Sequence, residues 1–124
     1  IISCGPQLAE ALRAAHILKR EHRTETRVVN MHTVKPLDRD AICRAAHETG
    51  AIITAEEHQV GGLGNQIAGI ILESRSAEDT RVRFAMIGIQ DRFGESGQPW
   101  QLVRKYGLSA EHIAKRAIDL LGIE

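Results

Sequence analysis

Four short aliphatic runs separated by segments of helical periodicity constrain the fold of this 124-residue chain more than any other feature. Residues 1–3 read as a short buried strand ending at Gly5-Pro6. Leu8, Ala11, Leu12, Ala15 and Leu18 then recur at helical spacing, leaving Arg13, Lys19 and Arg20 for the wet face. A polar stretch, His22-Arg23-Thr24-Glu25, leads into a second strand over 27–31. Pro36 holds Lys35 extended, Asp38 stands where an N-cap belongs, and Ala41, Ile42, Ala45 and Ala46 form the stripe of a helix closed by Gly50. Residues 51–55 read as a third, buried strand, 66–74 as a helix carrying Ile67, Ile70 and Ile71, and 82–89 as a fourth strand. Pro99 opens a short helix that Gly107 ends, and Ser109 caps a last one facing inward through Ile113, Ala117, Leu120 and Leu121.

Strands alternating with helices require crossover connections, hence a largely parallel sheet covered on both faces. The expected architecture is a three-layer α/β/α domain occupying residues 1–124, with no repeat, low-complexity tract or linker. A chain this long buries roughly two-thirds of the surface its unfolded form exposes. Only 3% of residues are aromatic against 43% hydrophobic, so the core must be aliphatic. The opening at Ile1-Ile2, already strand-like and without Met, is read as a cut through a larger protein.

Sixteen basic residues balance sixteen acidic ones, which argues against nucleic acid or a membrane surface as the main partner. No segment approaches the roughly twenty apolar residues of a membrane span. Cys4 and Cys43 lack metal or disulfide spacing and are expected to be inert reduced thiols of a cytoplasmic protein.

The densest polar signal is Glu56-Glu57-His58-Gln59-Val60-Gly61-Gly62-Leu63-Gly64-Asn65. It follows a buried strand and precedes a helix, at the sheet edge where open α/β folds bind ligands. A glycine-rich turn onto a helix N-terminus suits an anion; equally, the glycines serve only a tight turn and close helix approach. A dinucleotide fingerprint fails because Ile67 stands where its third glycine belongs and five residues, 56–60, separate the strand from the glycines. Glu56 and Glu57, adjacent on a strand end, point in opposite directions and cannot share a substrate. His58 lacks convergent partners for a metal. The loop is therefore expected to form an interface or a regulatory anion site, with Glu56, Glu57, His58, Gly61, Gly62, Gly64 and Asn65 as candidates. A second polar loop, residues 90–97, adds Asp91 and Arg92, placed to pair, and Phe93, placed to plug a hydrophobic gap. His16, His32, His47 and His112 are scattered. Nucleophile elbow, phosphate-loop and zinc-protease motifs are missing, as is the GDG…Asn pattern of a thiamine diphosphate site, so no catalytic, cofactor-binding or metal residue is assigned.

Several segments, in order, resemble the C-terminal domain of transketolases: Val34-Lys35-Pro36-Leu37-Asp38, Ile52-Ile53-Thr54-Ala55-Glu56-Glu57-His58 with Gly61-Gly62-Leu63-Gly64, Asp91-Arg92-Phe93-Gly94-Glu95-Ser96-Gly97, and Tyr106-Gly107-Leu108. Deoxyxylulose-phosphate synthases and the beta subunits of 2-oxo acid dehydrogenases share this domain; the Phe93-Gly94-Glu95-Ser96-Gly97 loop is similar to transketolases and ranks them first. The resemblance implies a mixed five-stranded sheet with one antiparallel edge strand. It implies a homodimeric enzyme that moves a two-carbon ketol unit from a ketose phosphate to an aldose phosphate. Thiamine diphosphate and Mg²⁺ would lie between the two preceding domains, with none bound here, and this domain would serve assembly or regulation without being catalytic.

Overall fold

A computed structural model describes residues 1–74 and 81–123. The elements run β1 (Ile2–Ser3), α1 (Gln7–His22), β2 (Val29–Asn30), α2 (Arg39–Thr49), β3 (Ala51–Gln59), α3 (Leu63–Ser74), β4 (Arg83–Ile89), α4 (Pro99–Lys105) and α5 (Ala110–Leu121). The strands form one parallel sheet in the order β2-β1-β3-β4. Ile2 lies opposite Val29 on one side and Thr54 on the other, and Ile52 opposite Phe84.

Two cores lie on opposite faces of the sheet. Ala14 and Leu18 of α1 pack with Ile113, Ala114 and Ala117 of α5 over Ile53, Ala55, Ala85 and Ile87. Ile42, Ala45 and Ala46 of α2 pack with Leu63, Ile67, Ile70 and Ile71 of α3 over Ile2 and Ile52. Adjacent strand residues thus feed opposite layers, Ile52 one and Ile53 the other, which is why β3 reads as a continuous aliphatic run. The three-layer α/β/α expectation holds.

The resemblance also implied a fifth, antiparallel edge strand. Among the described residues the sheet has four strands, all parallel. Beyond β4 the chain leaves the sheet at Asp91 (φ 46°), and everything described downstream is loop or helix. The buried stripe of α1 is Gln7, Ala11, Ala14 and Leu18, whereas Leu12 points to solvent. Gln7 is tolerated in the core because its amide N–H donates to the Leu108 carbonyl, and Glu10 Oε2 accepts from Ala110 N at 2.7 Å; together these dock α1 on the start of α5. Asp38 Oδ1 caps α2 at Ala41 N, 2.9 Å, and Gly50 ends it in the left-handed conformation (φ 65°), as the spacing predicts.

Candidate functional site

Strand order fixes where a site would lie. From β1 the chain crosses through α1 toward the β2 edge, and from β3 it crosses through α3 toward the β4 edge. α1 and α3 belong to opposite layers, so the switch of direction falls between β1 and β3. Cys4 lies just past the end of β1, and Glu56, Glu57 and His58 lie at the end of β3.

The third strand is longer than 51–55. It runs through a register irregularity between Ala55 and Gln59, and Gln59 pairs with Ile89. Glu56–Gln59 are therefore strand residues projecting beyond the core, and their polar character hid them from the hydrophobic pattern. Glu56 is 4% exposed while Glu57 and His58 are exposed, so the two carboxylates do diverge. Helix α3 likewise begins at Leu63, three residues before the expected Gln66, because Glu56 supplies its cap. The carboxylate accepts from Leu63 N (2.8 Å, Oε2) and Gly64 N (3.3 Å, Oε1). An acid thus fills the N-terminal end of α3, satisfying two of the donors an anion would need.

The glycines make that closure possible. A Cβ on Gly62 would lie 2.7 Å from Glu56 Oε2 and 3.0 Å from His58 Cδ2. One on Gly64 would lie 2.8 Å from Thr54 Oγ1 and 2.9 Å from Met86 Cγ, so α3 starts in contact with the sheet only because Gly64 has no side chain. Gly61 takes φ 112° to turn the chain. Asn65 is exposed, its Nδ2 3.6 Å from the position of a Gly61 Cβ. Burial, with Glu56 and then Glu57 adding negative charge nearby, pushes the Cys4 thiol above its ordinary value; Cys4 and Cys43 are both free. Among the described residues no three His, Cys, Asp or Glu side chains converge as a metal site would require, and no helix is long and apolar enough to cross a membrane.

The second loop adjoins the first through Gln59, whose Nε2 donates to the Arg92 carbonyl at 3.0 Å. Asp91 and Arg92 do not pair. The Arg92 guanidinium lies 4.5 Å from the Tyr106 ring centroid and donates to Lys105 O at 3.3 Å. Tyr106 Oη donates to Phe93 O at 3.2 Å, and Lys105 Nζ bonds Glu95 Oε2 at 2.6 Å. Phe93 plugs no gap: its side chain is 97% exposed, because the loop runs outside the sheet with its carbonyls, and not its ring, turned toward Gln59 and Tyr106. Trp100, on α4, is 65% exposed. The sequence pattern did not single out Gln59, Tyr106 or Trp100 as site residues; the one available signal was that aromatics are scarce, so any placed in a polar segment stands out.

Residues 1–113 match the family model described as transketolase, C-terminal domain. The chain belongs to that family. It is 40% identical over 121 residues to the 6-deoxy-6-sulfo-D-fructose transketolase subunit SqwH of Clostridium sp. strain MSTE9, covering 97% of this chain and 36% of that subunit. It is 39% identical over 122 residues to an apulose-4-phosphate transketolase subunit from Phocaeicola vulgatus, covering 98% and 37%. A 1-deoxy-D-xylulose-5-phosphate synthase of Desulforudis audaxviator is 38% identical over 118 residues, covering 94% and 18%. A solved split-gene transketolase, an inactive beta4 tetramer, superposes with a TM-score of 0.86 at 36% identity, covering 98% of this chain and 38% of that one. The chain therefore spans about a third of the transketolase subunits it matches and under a fifth of the synthase.

Proposed function

We propose that this chain is the C-terminal domain of a transketolase that moves a two-carbon ketol unit from a ketose phosphate to an aldose phosphate. Its part is assembly: it docks on the domains that hold thiamine diphosphate and Mg²⁺, within a homodimeric cytoplasmic enzyme. The observation that carries this reading is the division of the strand-end rim. At β3 the helix N-terminus that suits a phosphate is filled by Glu56, whereas at β4 two of the four aromatic residues stand in solvent.

The residues of this chain do not fit a diphosphate–magnesium site. Two of the α3 N–H groups are engaged by a buried carboxylate, and a phosphate brought against Glu56 would meet like charge. Bound elsewhere in the enzyme, thiamine diphosphate supplies the nucleophilic carbon for ketol transfer, and no step of that chemistry is assigned to this chain.

Ketol transfer measured with the cofactor-binding domains alone, with this domain alone, and with both tests the reading. Transfer that needs both is expected. Transfer undiminished without this domain, or a melting temperature of this domain raised by thiamine diphosphate and Mg²⁺, would contradict it. The synthase is a second reading, favoured by its 38% identity over 118 residues. A complete chain about three times this length would point to a split transketolase subunit and against the synthase, of which this domain makes up under a fifth.

A further inference from the structure

Twelve consecutive residues, Gln90 to Gln101, are exposed, a run that fits poorly with a loop serving only to connect β4 to α4. The backbone beneath this run is held in place. Gln59 anchors the Arg92 carbonyl, Tyr106 the Phe93 carbonyl, Arg92 the Lys105 carbonyl, and the Lys105–Glu95 pair fastens the far side. A Cβ on Gly97 would lie 3.2 Å from Leu102 Cδ2, so the end of the loop packs on α4 as well. From this clamped loop Phe93 projects almost wholly into solvent, with Trp100 exposed on the following helix. Leaving a large ring in water is unfavourable relative to burying it. Fixing its backbone in advance removes much of the ordering cost that a partner would otherwise meet on binding.

We propose that Phe93 and Trp100 are the anchor residues by which this domain docks on the remainder of its own enzyme, the cofactor-binding domains. This inference rests on the assembly role proposed above and gives it a surface. Two observations select that occupant. In the transketolase subunits this chain matches, close to two-thirds of the length lies outside the matched region, and that mass must pack somewhere. The charges of the loop are also mostly engaged internally: Lys105 pairs with Glu95 and Arg92 stacks on Tyr106. Asp91, exposed and beside Phe93, has no ion-pair partner among the described residues. The complementary surface is therefore an apolar pocket for one or two rings with a lysine or arginine at its rim, as aromatic anchors with a polar surround require.

Hydroxyl-radical footprinting of the assembled enzyme, this domain joined or added to the cofactor-binding domains, tests the assignment residue by residue. Leu72, 65% exposed on α3 in the opposite layer, is the internal reference. Phenylalanine and tryptophan react with hydroxyl radical faster than leucine, so without a partner both must outpace Leu72. Docking predicts that Phe93 and Trp100 react at least about tenfold more slowly in the assembly than in this domain alone, as expected of anchors shielded from water. Phe93→Ser should weaken association with the cofactor-binding domains by about tenfold or more. Equal labelling in both samples would overturn the inference. So would protection in the isolated domain that fades on dilution, since a second copy would then be the occupant. An enzyme that transfers ketol units while Phe93 labels freely would retain the function and lose this surface; protection without ketol transfer would do the reverse.

Discussion

The loops after β3 and β4 are neighbours joined by Gln59, both rich in glycine and polar residues, yet they are built for opposite ends. The β3–α3 turn directs its polar groups inward: Glu56 is buried on the first N–H groups of α3, and Gly62 and Gly64 are bare so that carboxylate and helix can close together. The β4–α4 loop is held through its carbonyls, on Gln59 and Tyr106, and through Arg92 and Glu95 on Lys105, while Phe93 stands free. A satisfied turn has little left to offer a ligand. A clamped loop carrying an unsatisfied ring is organised for a partner.

Removing Glu56 should produce the largest effect. Glu56→Ala leaves buried N–H groups of Leu63 and Gly64 without an acceptor and is expected to cost about 2–3 kcal/mol in urea unfolding, with Glu56→Gln costing less. A neutral Glu56→Ala would break the comparison, because the turn would then not depend on its acid. Gly64→Ala comes next, at about 1–3 kcal/mol, since its Cβ would press on Thr54 and Met86. A chemical-denaturation midpoint equal to that of the unaltered chain would mean that α3 starts farther from the sheet than described. Arg92→Ala removes the stacking on Tyr106 and the bond to Lys105 O, and should lower stability by about 0.5–1 kcal/mol while speeding amide exchange in the loop.

Acid gives a smaller response. The hydrogen bond from Lys105 holds the Glu95 carboxyl below the usual carboxylate range. With its folded value depressed, the stabilisation is complete above the unfolded value and is lost as pH falls through the folded one. A carboxyl carbon NMR titration should place the Glu95 midpoint below that of a free glutamate; a midpoint at or above it would remove this clasp from the account. Smallest of all, Phe93→Ser should change the stability of the isolated domain by no more than about 0.5 kcal/mol. A larger loss would show that the ring packs within the domain after all.

The layers of this fold were legible because aliphatic strand runs alternate with helical stripes, and α2 also carries its own cap and stop. Asp38 and Gly50 bracket α2 in sequence as they do in space. The site was legible in position and not in logic. Glu56, the glycines and the Asp91–Arg92 loop all stand at the strand-end rim. But hydrophobic periodicity ends β3 at Ala55, since a polar strand extension lacks the buried alternation by which strands are read. That Glu56 caps α3, seven residues on, depends on how sharply the chain turns, which only the Gly61 and Gly62 geometry fixes. Phe93 was misread for the same reason. A hydrophobic side chain in a loop is expected to find cover, and its exposure follows from contacts with Gln59 and Tyr106 that lie far off in sequence.

The most direct test of the central claim, that this domain serves its enzyme by docking and not by holding a ligand at the glycine-rich turn, is amide NMR. The Leu63 and Gly64 resonances would be followed as the chain is titrated with inorganic phosphate and then with thiamine diphosphate and Mg²⁺. Neither resonance is expected to move, because Glu56 already holds both N–H groups. Saturable shifts at Leu63 and Gly64, abolished by Gly62→Val, would contradict it and make the turn a binding site.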